Sequence, residues 1–135
     1  QQAQAYREAA VFHLHGSLLA FLQELARYYR LNDSQPTLKS IEEQMADKGQ
    51  VSPEVVVMQQ LAKHGFIAEL KRAYRLCQYA PEPNAPVPEE ETSSNLIIKV
   101  TQGPQSWLPD VKILREWHRE LTQLIDGFRN EMVEF

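Results

Sequence analysis

The chain has 135 residues, of which 43% are hydrophobic and 24% are charged, as is usual for one soluble globular domain. No apolar run approaches the roughly 18 residues of a membrane span, and no secretory signal pattern is present, so the sequence predicts a cytoplasmic protein without membrane contact. The four glutamates of residues 81–94 account for the net charge of −4. The neutral remainder argues against general nucleic-acid binding, which needs concentrated positive charge.

The first predicted element is a long helix over about residues 3–31. Its apolar side chains recur at alternating steps of three and four, which places them on one face. They are Val11, Leu14, Leu18, Phe21, Leu25 and Tyr28. The polar run at 32–36 should end the helix. The chain begins at Gln1 with no capping residue before the helix, so we expect further chain upstream.

Three shorter helices are predicted next, over about 38–47, from Ser52 onward, and over 66–79. Thr37 is the expected cap of the first, and Gly49 is its expected left-handed terminator. Ser52 followed by proline is a strong start signal for the second. Three consecutive valines leave a strand open there, although the start signal favours a helix. His64 and Gly65 should separate the last two helices.

The last part of the chain is predicted to contain a linker and a second long helix. Residues 81–94 hold four prolines and four glutamates, a composition that predicts a flexible linker, and 95–100 is a short apolar stretch expected to be extended. The final helix should run from about 109 to 134. Its predicted inner residues are Leu114, Trp117, Leu121, Leu124, Phe128, Met132 and Phe135. The sequence therefore predicts a single all-α domain over 1–135, a bundle of two long and three short helices.

Residue spacing gives no support for a metal ion, a cofactor or a nucleophilic enzyme. His13 and His15 are two positions apart, so on a helix their side chains diverge by about 200° and cannot share a metal. We expect His15 to be partly buried and His13 to be exposed. No glutamate stands three residues before a histidine, and no nucleophile elbow or phosphate-binding glycine loop occurs. Cys77 is expected to be a buried structural thiol.

One enzymatic alternative rests on Arg7, His13 and His15. Arg7 and His13 resemble the R-x4-6-H pattern of HEPN helical domains, several of which resemble metal-independent ribonucleases. In such a site a histidine would act on the ribose hydroxyl while the arginine holds the phosphate. Six residues of helix separate the two side chains by about 600°, however, so they should not share a face.

A basic cluster and one tryptophan are the candidate partner-binding residues. Lys63, Lys71, Arg72 and Arg75, opposed by Glu69, give residues 63–75 a charge of +3. This cluster can be a solvated helix face, a contact for the acidic run at 89–91, or a contact for an acidic partner protein or weakly bound RNA. Trp107 can hold the linker against the bundle or line a groove for a partner.

Two segments of the chain resemble a known family. They are YREAAVFHLHGSLLAFLQELARYYR at residues 6–30 and SWLPD followed by LREWHRELTQLIDGFR within 106–129. Both are similar to the first and last helices of a family of small all-helical proteobacterial proteins of unknown function. The resemblance implies a further amphipathic helix upstream of Gln1, and it implies no activity, cofactor or catalytic residue. We therefore expect a non-enzymatic interaction or adaptor module with an unknown protein partner, or a homodimer, because two long apolar stripes must be covered.

Overall fold

The computed structural model describes residues 2–79 and 108–133, and that part of the chain is all-α. Its helices are α1 (Gln2–Tyr28), α2 (Leu38–Asp47), α3 (Pro53–His64), α4 (Phe66–Gln78) and α5 (Val111–Val133). The predicted bundle of two long and three short helices is confirmed. The predicted linker at 81–94, the extended stretch at 95–100 and Trp107 lie outside the described residues.

The long helix α1 ends earlier than predicted, at Tyr28 rather than residue 31. The backbone N–H of Leu31 donates to the carbonyl of Ala26, and that of Arg30 donates to Arg27, at 2.8 and 3.0 Å. Arg30 has a φ of 58° in the left-handed region. This is a Schellman termination, in which an arginine occupies the position that usually carries glycine. The polar run at 32–36 thus follows a helix that has already ended.

Replacing Arg30 with glycine is expected to raise the free energy of unfolding by about 1 kcal/mol, because glycine lacks the Cβ that disfavours the left-handed conformation. Urea unfolding followed by circular dichroism measures the change. Arg30→Ala is the control, since alanine keeps the Cβ and should give no gain. Equal stability of the glycine and alanine variants would contradict the prediction.

Two of the three short helices, α2 and α3, have the caps that the sequence predicted. The Thr37 side chain accepts from the N–H of Ser40 at 3.0 Å, and Gly49 has a φ of 71° after α2. The Ser52 hydroxyl accepts from the N–H of Val55 at 3.2 Å, and Pro53 is the first residue of α3. The valine run is helical, so a strand at this place is wrong. Gly65 separates α3 from α4.

The last helix begins where Asp110 caps it and buries a slightly different face from the one predicted. Asp110 Oδ1 accepts from the N–H of Ile113 at 2.8 Å. The buried side chains of α5 are Leu114, Trp117, Leu121, Ile125 and Phe128. The sequence analysis missed Ile125, whereas the predicted Leu124 and Met132 are only half-buried. Phe135 lies outside the described residues.

The helix α1 forms the centre of the packing. It contacts α4 on one side and α5 on the other, while α3 packs against α4 and α2 packs against α3. The core contains Leu18, Phe21 and Leu25 from α1, each at most 1% exposed, together with Met58 and Ile67. The main contacts of α5 are with α1, which leaves a long seam between these two helices at the surface. Within residues 2–79 and 108–133, no helix is long and apolar enough to cross a membrane.

Candidate binding groove between the first and last helices

A surface groove follows the seam between α1 and α5. Its first section has a volume of about 450 Å³. The apolar part of the lining includes Ala9 and Leu14 from α1 and Val111 and Leu114 from α5. Because the side chains of α1 in this section are small, the backbone of another helix could approach α1 closely. We call this feature the seam groove.

The seam groove continues along α1 toward the C-terminus of that helix. Its second section has a volume of about 250 Å³ and includes Ser17, Ala20 and Phe21 in its lining. His13 and His118 line both sections, so the two imidazoles stand where the sections join. From residue 6 to residue 21 the α1 side of the groove spans about 22 Å at about 1.5 Å per residue. This length matches about four turns of a bound helix.

The charge of the seam groove changes along its length. The first section has Arg115, His13 and His118 in its lining and no carboxylate. Farther along, Arg129 Nη2 and Glu24 Oε1 are 2.8 Å apart, and the guanidinium makes a second bond to the same carboxylate at 2.9 Å. This hydrogen bonding holds the pKa of Glu24 below its ordinary value. The lining of the first section therefore holds the guanidinium of Arg115 and no carboxylate, whereas the second section includes Asp126 together with Arg129, which is paired with Glu24.

The three residues of the enzymatic alternative point to three different surroundings. Arg7 Nη1 donates to the carbonyl of Leu108 at 3.5 Å. His13 is exposed in the seam groove, and His15 is half-buried on the α4 side. The predictions that His13 is exposed and that His15 is partly buried are therefore confirmed. The structure does not bring Arg7, His13 and His15 together, so one monomer offers no joint site from these three side chains.

His15 lies flat against Tyr74 of α4. The two ring centroids are 3.6 Å apart with an angle of 4° between the planes, and Phe12 meets the same tyrosine edge-on at 5.3 Å. Burial lowers the pKa of His15 below 6.5, and the positive charge of Lys71 lowers it further. A neutral imidazole stacked in this way contributes to packing between α1 and α4.

The Cys77 thiol is half-buried near the same contact. Burial raises the pKa of Cys77 to about 11, and the negative charge of Glu8 acts in the same direction. The thiolate is the nucleophilic form, so very little of it is present at neutral pH. This agrees with the structural role that the sequence predicted, although the side chain is less buried than expected.

A buried polar cluster that the sequence analysis did not identify joins α1 to the start of α3. Glu54 is only 6% exposed, and its Oε1 accepts a hydrogen bond from the Tyr29 hydroxyl. Burial, followed by this hydrogen bond, raises the pKa of Tyr29 to about 12, while a further bond to the Ser52 side chain opposes the rise. The cluster fixes the angle between two helices and lies away from the seam groove.

The predicted basic cluster occupies the exposed surface of α3 and α4. Lys63 stands near the end of α3, and Lys71, Arg72 and Arg75 are exposed on α4. They lie on the α3–α4 side of the bundle, whereas the seam groove is formed by α1 and α5. The sequence analysis missed Arg115 and His118, although their spacing of three beside Leu114 indicates a cationic edge next to an apolar face.

Comparison with known proteins gives a family and no activity. The model of a family of unknown function (DUF6586) matches residues 1–135. No curated protein and no solved structure matches the chain. Among the described residues, no group of three or more histidine, cysteine, aspartate or glutamate side chains could hold a metal ion.

Proposed function

We propose that this chain, which belongs to a family of unknown function (DUF6586), is a non-enzymatic interaction module that binds an acidic amphipathic helix of a partner protein in its seam groove. The observation that carries the proposal is the combination of an apolar lining with a cationic edge that lacks carboxylates. Helix-in-groove recognition needs an open apolar channel several turns long. The seam groove has that form.

The lining of the groove suits a helical ligand. Ala9, Ala10 and Ala20 give α1 a low profile on this side, so an incoming helix can approach at the about 8–10 Å separation typical of packed helices. Tyr6, which is 59% exposed, and the exposed Ala9 offer apolar surface to its stripe, above a floor formed by the buried Leu14 and Leu114. A ligand with leucines spaced three and four residues apart would bury them along the seam.

The charge of the groove selects an acidic ligand over a basic one. Arg115 is exposed and reaches the first section from the α5 side, where a carboxylate of the ligand could pair with its guanidinium. His13 and His118 lie in the same lining, where their ring N–H groups could donate to a carboxylate of the ligand. The free thiol at Cys77 suits a reducing compartment, and we place the interaction in the cytoplasm.

The test uses two synthetic helical peptides of about 15 residues, the length that four turns require. One carries leucines on one face and glutamates on the other, and its twin has lysines in place of the glutamates. We expect the acidic peptide to bind at least about tenfold more tightly, because like charges at the Arg115 edge repel the basic twin. Shifts of the His13 and His118 imidazole signals in NMR spectra measure the binding.

Two variants with the same charge change separate the groove from the basic cluster. Arg115→Glu should reverse the preference between the peptides, whereas Arg75→Glu on α4 should leave it unchanged. Equal affinity for both peptides would overturn the proposal, as would a loss of binding in Arg75→Glu alone. So would unshifted His13 and His118 signals at about 1 mM peptide.

A further inference from the structure

The outward face of α1 carries a second apolar surface, which shares only Ala9 with the lining of the seam groove. Its positions follow a repeat of four and three residues along the helix. They are Ala5, Ala9, Phe12, Gly16, Leu19 and Gln23, and all six are exposed. We call this row the outer seam. None of its positions is charged, whereas α5 exposes Lys112, Glu116 and Arg119 on its outward side.

The outer seam is more apolar than a solvated helix face requires. Phe12 and Leu19 are each 44% exposed, although Phe12 has its ring edge on Tyr74. A Cβ placed on Gly16 would have no atom within 4 Å, so the surface is open at its centre. A repeat of alternating four and three residues is the signature of a helix that packs along another helix at a shallow angle.

We propose that the outer seam binds the outer seam of a second copy of this chain, with the two α1 helices antiparallel about a two-fold axis opposite position 14. In this register the numbers of facing residues add up to 28. Phe12 then faces Gly16 of the second copy, Leu19 faces Ala9, and Gln23 faces Ala5. Every large side chain meets a small one, so each layer is filled without overlap.

The parallel arrangement does not fit the same residues. Identical positions would face each other, so two Phe12 rings would compete for one layer while two Gly16 positions left the next layer empty. An overfilled layer and an empty layer are each destabilising. Size matching therefore favours the antiparallel register, and the two-fold axis makes the contact self-complementary.

The charge and size of the outer seam also suit a second copy. The net charge of −4 on each chain would repel, but no charged side chain lies on the seam itself. A strip about 27 Å long and about 10 Å wide has an area of about 270 Å² on each copy and about 540 Å² for the pair, which is the size of a small, transient contact. We therefore expect a weak dimer, with a dissociation constant on the order of 100 μM.

Analytical ultracentrifugation over a range of concentrations tests the proposal. The wild-type chain should be a reversible dimer, and Leu19→Glu should weaken it at least about a hundredfold, because two carboxylates would be buried without partners. Val56→Glu on α3 is the matched control, since Val56 is also 44% exposed and lies off the seam. It should leave the dimer unchanged. A wild-type monomer at about 1 mM would overturn the proposal.

Gly16→Leu tests the register without harming the fold. The substitution removes a helical glycine where a Cβ meets nothing, so thermal unfolding of the monomer should not occur at a lower temperature. In the antiparallel register the new leucine collides with Phe12 of the second copy and weakens the dimer. Adding Phe12→Ala should restore the dimer, because the large side chain then lies at position 16 and faces a small one at position 12 of the second copy.

A stronger dimer in Gly16→Leu would indicate the parallel arrangement and overturn the proposed register. The substituted residues separate this test from that of the seam groove, because Arg115 is not part of the outer seam and Arg115→Glu should leave the dimer intact. Failure of peptide binding and failure of dimerisation are thus separate results.

Discussion

Replacing Tyr29 with phenylalanine is expected to lower the free energy of unfolding by about 3 kcal/mol. The variant removes one hydroxyl, yet it leaves the 6% exposed Glu54 carboxylate without the donor that Tyr29 supplies. A buried charged group that loses its partner retains its full desolvation cost, which exceeds the net value of an ordinary hydrogen bond. Urea unfolding of the wild type and the variant measures the difference.

The double variant Tyr29→Phe with Glu54→Met identifies the cause of this loss. Removing both polar partners eliminates the unpaired charge, so most of the lost stability should return. Glu54→Met alone should cost less than Tyr29→Phe alone, because the neutral Tyr29 hydroxyl keeps its bond to the Ser52 side chain, whereas Tyr29→Phe leaves a buried carboxylate without its donor. A double variant as unstable as Tyr29→Phe would show that the hydroxyl itself, and not the stranded carboxylate, is responsible.

The ends of the helices could be predicted because their signals are local. Thr37, Ser52 and Asp110 each accept a hydrogen bond from the backbone two or three residues ahead, and the sequence alone identifies such caps. The left-handed turn at Gly49 is equally local. The end of α1 was misplaced because an arginine occupies the left-handed position, and arginine carries no signal for that conformation.

Contacts between distant helices could not be predicted from the same patterns. The sequence placed Tyr28 on the inner face, whereas Tyr28 is 42% exposed and its neighbour Tyr29 turns inward to Glu54. Nothing in the sequence around Glu54 indicates that its carboxylate is buried, because the burial depends on the approach of Tyr29 at the end of α1. Arg115 and His118 form an edge of the groove only because α5 packs beside His13.

Both proposed surfaces include side chains of α1, and this explains why α1 carries apolar residues on more than one face. Its inner face builds the core, one flank supports α5 and the seam groove, and the outward face carries Phe12 and Leu19 where α5 carries charges. A helix buried on one side needs a single apolar stripe. The apolar residues on the remaining sides of α1 point to contacts made outside the monomer, which is the reason to place binding and self-association there.

Replacing Phe21 with alanine is expected to lower the free energy of unfolding by about 4 kcal/mol and to release α5 selectively. Phe21 is 1% exposed, and its ring lies 5.9 Å from that of Phe128 with 15° between the planes. Since α5 depends mainly on α1 for its packing, the lost ring removes much of what holds α5 in place. Hydrogen exchange measures the stability of each helix separately.

The α5 amides of Phe21→Ala should exchange at least about a hundredfold faster than those of α3 and α4 in the same variant, because local release of α5 costs less than global unfolding. Met58→Ala is the control, since Met58 is fully buried in α3 and its truncation also leaves a cavity, away from α5. It should accelerate exchange in α3 and α4 at least as much as in α5. Peptide binding in the seam groove should be lost in Phe21→Ala and kept in Met58→Ala under folding conditions. If both variants accelerated exchange equally in every helix, α5 would unfold together with the rest, and the groove would be a rigid part of one cooperative core.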